Sequence, residues 1–190
     1  MTRRRLRRIV TAAATLATLG AGLLVALPAH AAISSYQDGF EGNAHIQWHS
    51  AEVRGKSVVF LNNTVERRSG TNAAWLIAGP TAGEAARIDR EIRLDPPSVN
   101  PFVCGGSMYM KKAGGTRTPQ PSATVTVKLH PTSIVEPSRS TNVFAVSDTS
   151  SYQYFSLGTY PYMSLFVVEI SSINDVMIDD LSFDCHELPR

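Results

Sequence analysis

The 190-residue chain has the length of one domain with a substantial hydrophobic core. Its formal net charge of +2 depends on five arginines near the N-terminus; without residues 1–31, 13 basic and 16 acidic residues remain, a net charge of −3. No basic cluster is left to neutralise a phosphate backbone, so nucleic-acid binding is not expected.

The first 31 residues have the pattern of a secretory signal peptide. An arginine-rich start precedes an apolar run from Ile9 to Leu27, and Ala29-His30-Ala31 fits the small-x-small pattern of a signal-peptidase site. The run is nearly long enough to span a bilayer, but its glycines and Pro28 favour cleavage over anchoring. We therefore expect a secreted protein with one domain over residues 32–190 and no stable membrane anchor after cleavage.

The arginine run also resembles a twin-arginine signal, so the general secretory and twin-arginine export routes both stay open. The arginine-rich and alanine-rich style of this leader is similar to that of exported actinobacterial proteins, which implies a bacterial source.

The two cysteines, Cys104 and Cys185, both lie in the expected secreted domain. An even count in an oxidising compartment predicts one disulfide, which would join a mid-chain strand to the C-terminal region. The alternative is a pair of buried free thiols. Two cysteines so far apart are not a zinc-site pattern.

After the leader, apolar and polar residues alternate with a period of two, and helical periodicity is nearly absent. The stretch from Asp38 to Ser50 is predicted to hold the first strand, with its acid facing the other end of the chain. Further strands are predicted at 57–61, 73–79, 87–94, 102–111, 123–130, 142–147, 152–159, 163–171 and 175–183. This many short strands, with no helix long enough for a crossover, predict two packed antiparallel sheets.

Three short motifs resemble the galactose-binding-like jelly rolls, a group that includes many bacterial carbohydrate-binding modules. Residues 38–41 and Trp48 match the opening Asp-Gly-Phe-Glu and tryptophan, and residues 178–181 match the closing Ile-Asp-Asp-aliphatic strand. Residues 67–79, RRSGTNAAWLIAG, resemble the Ser-Gly-x-x-Ala strand between them. The resemblance covers most of residues 34–184. It implies an all-β, two-sheet jelly-roll sandwich with Trp48 in the core and the first and last strands side by side.

The resemblance also implies a structural calcium ion where those two strands meet. In this family the glutamate of the opening motif and an aspartate of the closing motif often hold it, so Glu41 and Asp180 are the first candidates here. Asp38 and Asp179 are the next. Calcium takes six to eight oxygen ligands, and carboxylates brought together without a cation would repel one another. The alternative is that these acids are solvated residues at strand ends.

A sugar site needs flat aromatic rings and a few polar groups. Trp75, Tyr109, Tyr152 and Tyr154 are therefore candidate ligand-binding residues. The alternative is that these rings pack in the sandwich with only their polar tips in water.

No catalytic set is evident in the sequence. Asp179 and Asp180 are adjacent, and neighbours on a strand point to opposite faces, which does not suit the paired carboxylates of a glycosidase. The expected function is that of a secreted, monomeric, non-catalytic module that binds a polysaccharide or other glycan. Two alternatives stay open: a structural or protein-interaction module of the cell envelope without a sugar site, and a small glycan hydrolase or lyase built on the sandwich.

Overall fold

The computed structural model describes residues 32–52, 57–79, 84–95, 102–114 and 122–187, and the predicted signal peptide lies outside these ranges. The described residues form eleven strands and one short helix: β1 (Ala32–Asp38), α1 (Ala44–Gln47), β2 (His49–Glu52), β3 (Val58–Asn63), β4 (Ala73–Ile77), β5 (Ala86–Arg93), β6 (Phe102–Lys112), β7 (Ser122–His130), β8 (Ser140–Ser147), β9 (Gln153–Tyr160), β10 (Leu165–Ile173) and β11 (Val176–Glu187). In the part of the chain so described, no helix is long and apolar enough to cross a membrane.

The strands form two antiparallel sheets, as predicted. Sheet A has the order β3-β4-β11-β6-β9, with β1 also paired to β11, and sheet B has the order β2-β5-β10-β7-β8. The twelve-residue β11 is central to sheet A because β4 pairs with its first part, β1 with its second part and β6 with both. The two-sheet β-sandwich predicted from the alternating pattern is confirmed.

The core lies between the sheets and is built from the alternate, inward-facing residues of each strand. Trp48 is 2% exposed, and its ring centroid lies 5.2 Å from that of Phe40. Phe166 and Phe183, from opposite sheets, pack edge to face at 5.0 Å in the same core. The placement of Trp48 in the core agrees with the expectation from the opening motif.

The prediction that residues 38–50 hold the first strand is wrong. β1 ends at Asp38, whose Oδ1 accepts a hydrogen bond from the Phe40 N–H at 2.7 Å and closes a turn. Phe40 and Gly42 then have φ values of 58° and 67°, in the left-handed region outside the extended conformation of a regular strand. The turn leads into α1 and then β2.

The first and last strands are neighbours, as the motifs implied. β1 runs antiparallel to β11 with Asp38 opposite Leu181, so the opening motif and the closing acidic pair come together. On the other side of β11, Cys185 lies opposite Cys104 of β6 with a Cα–Cα distance of 4.0 Å, and the two form the predicted disulfide. The N-terminal strand β1 and the mid-chain strand β6 are thereby both joined to the C-terminal strand β11.

Gly106 on β6 faces the core and leaves no room for a side chain. A Cβ added there would lie 2.8 Å from the Phe183 ring and 3.0 Å from the Leu157 side chain, and both side chains are buried. We expect Gly106→Ala to lower the free energy of unfolding by about 1–3 kcal/mol through overpacking. Gly114→Ala is the matched control because nothing lies within 4 Å of its added Cβ, so its effect stays within about 0.5 kcal/mol. Urea unfolding compares the two variants, and equal effects would contradict this packing.

Candidate groove on the outer face of sheet A

A groove crosses the outer face of sheet A over β11, β6 and β9. Cross-strand register places Ser182 opposite Ser107, and Ser107 opposite Ser156. Two adjoining cavities of about 440 and 290 Å³ share Ser107 and Tyr154 and form one continuous surface. We call this surface the sheet-A groove; its outward-facing lining comprises Gln37, Arg68, Gly105, Ser107, Tyr109, Tyr154, Ser156, Gly158, Thr159, Ser182, Asp184 and His186.

The surface at the bottom of the groove is formed by small residues, serines and glycines. The hydroxyls of Ser107 and Ser182 lie 2.8 Å apart, within hydrogen-bond distance across β6 and β11. Gly158 has a φ of 70°, and a Cβ added at Gly105 would lie only 3.3 Å from the Gly158 carbonyl oxygen. The sequence thus keeps this part of the sheet free of bulk while leaving hydroxyls on its surface.

Two of the predicted ligand-binding residues meet at one wall of the groove. Tyr109 lies opposite Tyr154 in the β6–β9 ladder, and their rings make an edge contact with centroids 5.4 Å apart. Tyr154 is 58% exposed. The Arg68 guanidinium lies over the Tyr109 ring at 3.5 Å from its centroid, a cation–π contact that holds this ring in place.

The other two candidates lie outside the groove. Tyr152 precedes β9, and its hydroxyl donates to the Glu66 carbonyl oxygen at 3.3 Å; burial raises the pKa of this phenol. Trp75 lies on β4, on the outer face of sheet A, against Phe60 of β3. The structure therefore places Tyr109 and Tyr154 together in the groove, while Tyr152 lines a neighbouring cavity with Arg68 and Trp75 lies on β4.

Three of the four predicted metal ligands converge beside the groove. A Cβ added at Gly39 would lie 3.6 Å from Asp180 Oδ1, 3.7 Å from Asp179 Oδ1 and 3.8 Å from Glu41 Cγ. Asp38 is held elsewhere: it accepts hydrogen bonds from the Trp48 Nε1–H and the Tyr36 hydroxyl, each at 2.8 Å, and pairs with Arg90.

The converging acids hold the β3–β4 loop, residues 64–72. The N–H groups of Arg68 and Ser69 donate to Asp179 Oδ2 at 2.8 and 3.1 Å, while the Arg68 guanidinium pairs with Asp180. Asp179 is fully buried, and this burial raises the pKa of its carboxyl. The loop is thereby fixed in the position that brings Arg68 to the Tyr109 ring.

Glu41 anchors the end of the same loop. Its carboxylate accepts hydrogen bonds from the Thr71 hydroxyl and from the N–H groups of Thr71 and Asn72, the last two at 2.7 and 3.0 Å. These hydrogen bonds lower the pKa of the Glu41 carboxyl, and the bond from the Thr71 hydroxyl has the largest effect. Gly70 between the anchors has a φ of 55°, and an added Cβ there would overlap the Glu41 carboxylate.

Within the described ranges, no group of three or more histidine, cysteine, aspartate or glutamate side chains has the arrangement of a metal site. The calcium ion stays a prediction. An ionised carboxylate has about four acceptor positions. Glu41 accepts four hydrogen bonds from Thr71 and Asn72, Asp179 accepts three and Asp180 accepts two, so the free lone pairs lie on the two aspartates.

Comparison with known proteins finds no matching family model and no matching curated protein. The CBM22-1 xylan-binding domain of Paenibacillus barcinonensis Xyn10C is similar in structure, with a TM-score of 0.54 and 14% identity over 86% of this chain and 100% of that one. The C-terminal family 22 carbohydrate-binding module of Clostridium thermocellum Xyn10B has a TM-score of 0.50 and 16% identity, over 82% and 96%. This chain has the jelly-roll fold of carbohydrate-binding modules.

A two-module structure is also similar to this jelly roll. The CBM22-1 and GH10 modules of Clostridium thermocellum endo-1,4-beta-D-xylanase 10B, complexed with xylohexaose, have a TM-score of 0.53 and 15% identity, over 83% of this chain and 29% of that one. At these identities the likeness concerns the fold, and the chemistry of the groove depends on its own residues.

Sequence reasoning missed several polar residues of the jelly roll's groove. Asp184 and His186 alternate on β11 with the core residues Phe183 and Cys185, so the period-two pattern contained the signal that places them on the outer face. Arg68 carried no such signal because it lies in a loop and reaches the groove through contacts with distant acids.

Proposed function

We propose that this protein is an extracellular, non-catalytic carbohydrate-binding module that holds a polysaccharide in the sheet-A groove. The observation that carries the proposal is the wall formed by Tyr109 and Tyr154 beside a floor of serines and glycines. A pyranose ring has apolar faces and hydroxyl edges, which suits an aromatic wall together with hydroxyl groups. The structural similarity to xylan-binding modules and the signal-peptide pattern support the same proposal.

The charges around the groove favour binding over hydrolysis. A glycosidase places two carboxyls about 5–9.5 Å apart across one cleft. Here Asp180 pairs with Arg68, and Asp179 is buried under the N–H groups of the β3–β4 loop. Among the described lining residues, this leaves Asp184 as the groove carboxylate without such a partner.

Retention on insoluble polysaccharides tests the proposal. We expect the wild-type protein to bind at least one member of a panel that includes xylan. Tyr154→Ala should weaken this binding about tenfold because it removes the exposed ring of the wall. Val143→Ala is the matched control, since it removes an exposed apolar side chain from sheet B. Sedimentation depletion isotherms give the affinities. A wild-type protein that remains in solution with every polysaccharide would overturn the proposal.

We also propose that a calcium ion binds between Glu41 and Asp180, with Asp179 close by. The support is the approach of the Asp179 and Asp180 carboxylates and the Glu41 γ-carbon around Gly39 at the junction of β1 and β11. Calcium in excess should raise the melting temperature, since a ligand that binds only the native state stabilises it. Chelation should reverse the rise, and Glu41→Gln should remove the response. A melting temperature unchanged between chelator and millimolar calcium would contradict the site.

A further inference from the structure

A second aromatic surface lies on the same outer face of sheet A. Phe60 of β3 and Trp75 of β4 are opposite each other in register, with ring centroids 5.8 Å apart and ring planes inclined by 36°. Phe60 is 44% exposed. A cavity of about 230 Å³, which we call the Phe60–Trp75 pocket, is lined by Phe60, Asn62, Asn63, Thr64, Val65 and Trp75.

Two hydrogen-bond donors of this pocket have no acceptor. Asn63 is only 8% exposed, and its Oδ1 accepts a hydrogen bond from the Val65 N–H at 2.9 Å, which fixes the orientation of the amide. The Asn63 Nδ2 and the Trp75 Nε1 are both buried and have no hydrogen-bond partner in the described structure. Buried donors without acceptors are uncommon in native proteins, so an acceptor is expected at this pocket.

The pocket selects for a neutral ligand with an apolar face. None of its six lining residues is charged, so it offers no opposite charge to a carboxylate, a phosphate or an ammonium group. It offers two aromatic rings, and two of its lining residues carry buried N–H donors without a partner. A pyranose meets both requirements, because its C–H face packs on a ring and its hydroxyl and ring oxygens accept hydrogen bonds.

The pocket lies within reach of a chain bound in the sheet-A groove. Trp75 is opposite Met177, and Met177 is opposite Lys111, which is two residues from Tyr109 on β6. With strands about 4.8 Å apart and about 3.4 Å per residue, the backbones of Trp75 and Tyr109 are separated by about 12 Å. The β3–β4 loop lies between the two sites, where its Glu66 pairs with Lys111 at 2.7 Å.

We propose that the Phe60–Trp75 pocket is a second saccharide-binding site, which holds another part of the polysaccharide bound in the groove. This inference rests on the proposed function. Long chains then contact both sites and gain affinity through effective concentration, whereas short oligosaccharides bind at one site at a time.

Affinity electrophoresis through gels with soluble polysaccharides, xylan included, tests the second site. On the polysaccharide that retards the wild-type protein most, Phe60→Ala should lower the affinity about tenfold. On disaccharides from the same polysaccharide, which are too short to contact both sites, its affinity at the groove should be unchanged. Tyr154→Ala should weaken binding to both, and Val143→Ala should weaken neither. The exposed position of Phe60 keeps its removal compatible with folding.

Tryptophan fluorescence gives a second readout of the same site. Trp75 lines the pocket, whereas Trp48 is buried and donates its indole N–H to Asp38 near the groove, so the difference in emission between the wild-type protein and Phe60→Ala reports on Trp75. We expect the emission of the wild-type protein to change and that of Phe60→Ala to change less. If the wild-type protein is retarded but Phe60→Ala behaves identically and the emission stays constant, the second site is overturned while the groove stands. If no polysaccharide retards the wild-type protein, both proposals fail.

Discussion

Replacing Cys104 and Cys185 together by alanine is expected to lower the free energy of unfolding by about 4 kcal/mol. The two residues are 81 positions apart in the sequence, so the disulfide closes a long loop in the unfolded chain and greatly reduces its conformational freedom. Alanine is the suitable replacement because both sulfurs are buried in the core, where a hydroxyl would lack a partner. Urea unfolding under non-reducing conditions gives the difference.

Reduction of the wild-type protein supplies the control for this prediction. The reduced protein should unfold at nearly the same urea concentration as the double variant, and thiol titration of the native, oxidised protein should find no free cysteine. If removing the disulfide lowers the free energy of unfolding by less than about 1 kcal/mol, the cross-link does not restrict the conformations of the unfolded chain as expected.

Replacing Asp179 by alanine is expected to lower the free energy of unfolding by about 3 kcal/mol and to weaken glycan binding about tenfold. The substitution leaves the N–H groups of Arg68, Ser69 and Asp180 without their carboxylate acceptor. It also releases the β3–β4 loop. In the native protein this loop holds the Arg68 guanidinium over the Tyr109 ring, and this contact should be lost. Stability and binding should therefore fall together, as measured by urea unfolding and by retention on the polysaccharide.

Leu129→Ala separates the two effects of Asp179→Ala. Leu129 is buried on β7 of sheet B, so its removal lowers the free energy of unfolding by about 3 kcal/mol through the cavity that it leaves, while the β3–β4 loop keeps its contacts. Glycan affinity should be retained in Leu129→Ala and lost in Asp179→Ala when both are measured well below their melting temperatures. Equal affinities in the two variants would contradict a role for the loop in positioning the groove wall.

Most strands of the fold were predictable because their alternate residues are buried on one side. The stretch 123–130 was predicted, and β7 spans Ser122–His130, since its alanine, valines and leucine all enter the core. β1 was missed because Ala32–Asp38 comes immediately after the predicted cleavage site and has few large apolar residues. β11 extends past the predicted end at residue 183 because Cys185 continues its buried face.

The candidate site was predictable only where a motif or a residue type carried the information. The resemblance predicted that Glu41 meets the acidic pair, and the Glu41 γ-carbon lies near Asp179 and Asp180 around Gly39, while its carboxylate turns toward Gly70. That Tyr109 meets Tyr154 depends on the register between β6 and β9, which alternation alone does not specify. The position of Arg68 depends on acids more than a hundred residues away, and local sequence contains no sign of such a contact.

The most direct test of the groove is amide chemical-shift mapping. A short oligosaccharide from the polysaccharide that retains the protein would be titrated into isotope-labelled wild-type protein. We predict that the largest shifts fall on Ser107, Tyr154, Gly158 and Ser182, which line the sheet-A groove, with little change on β8 at the edge of sheet B. Shifts confined to sheet B, or none at ligand concentrations that saturate binding, would contradict the account.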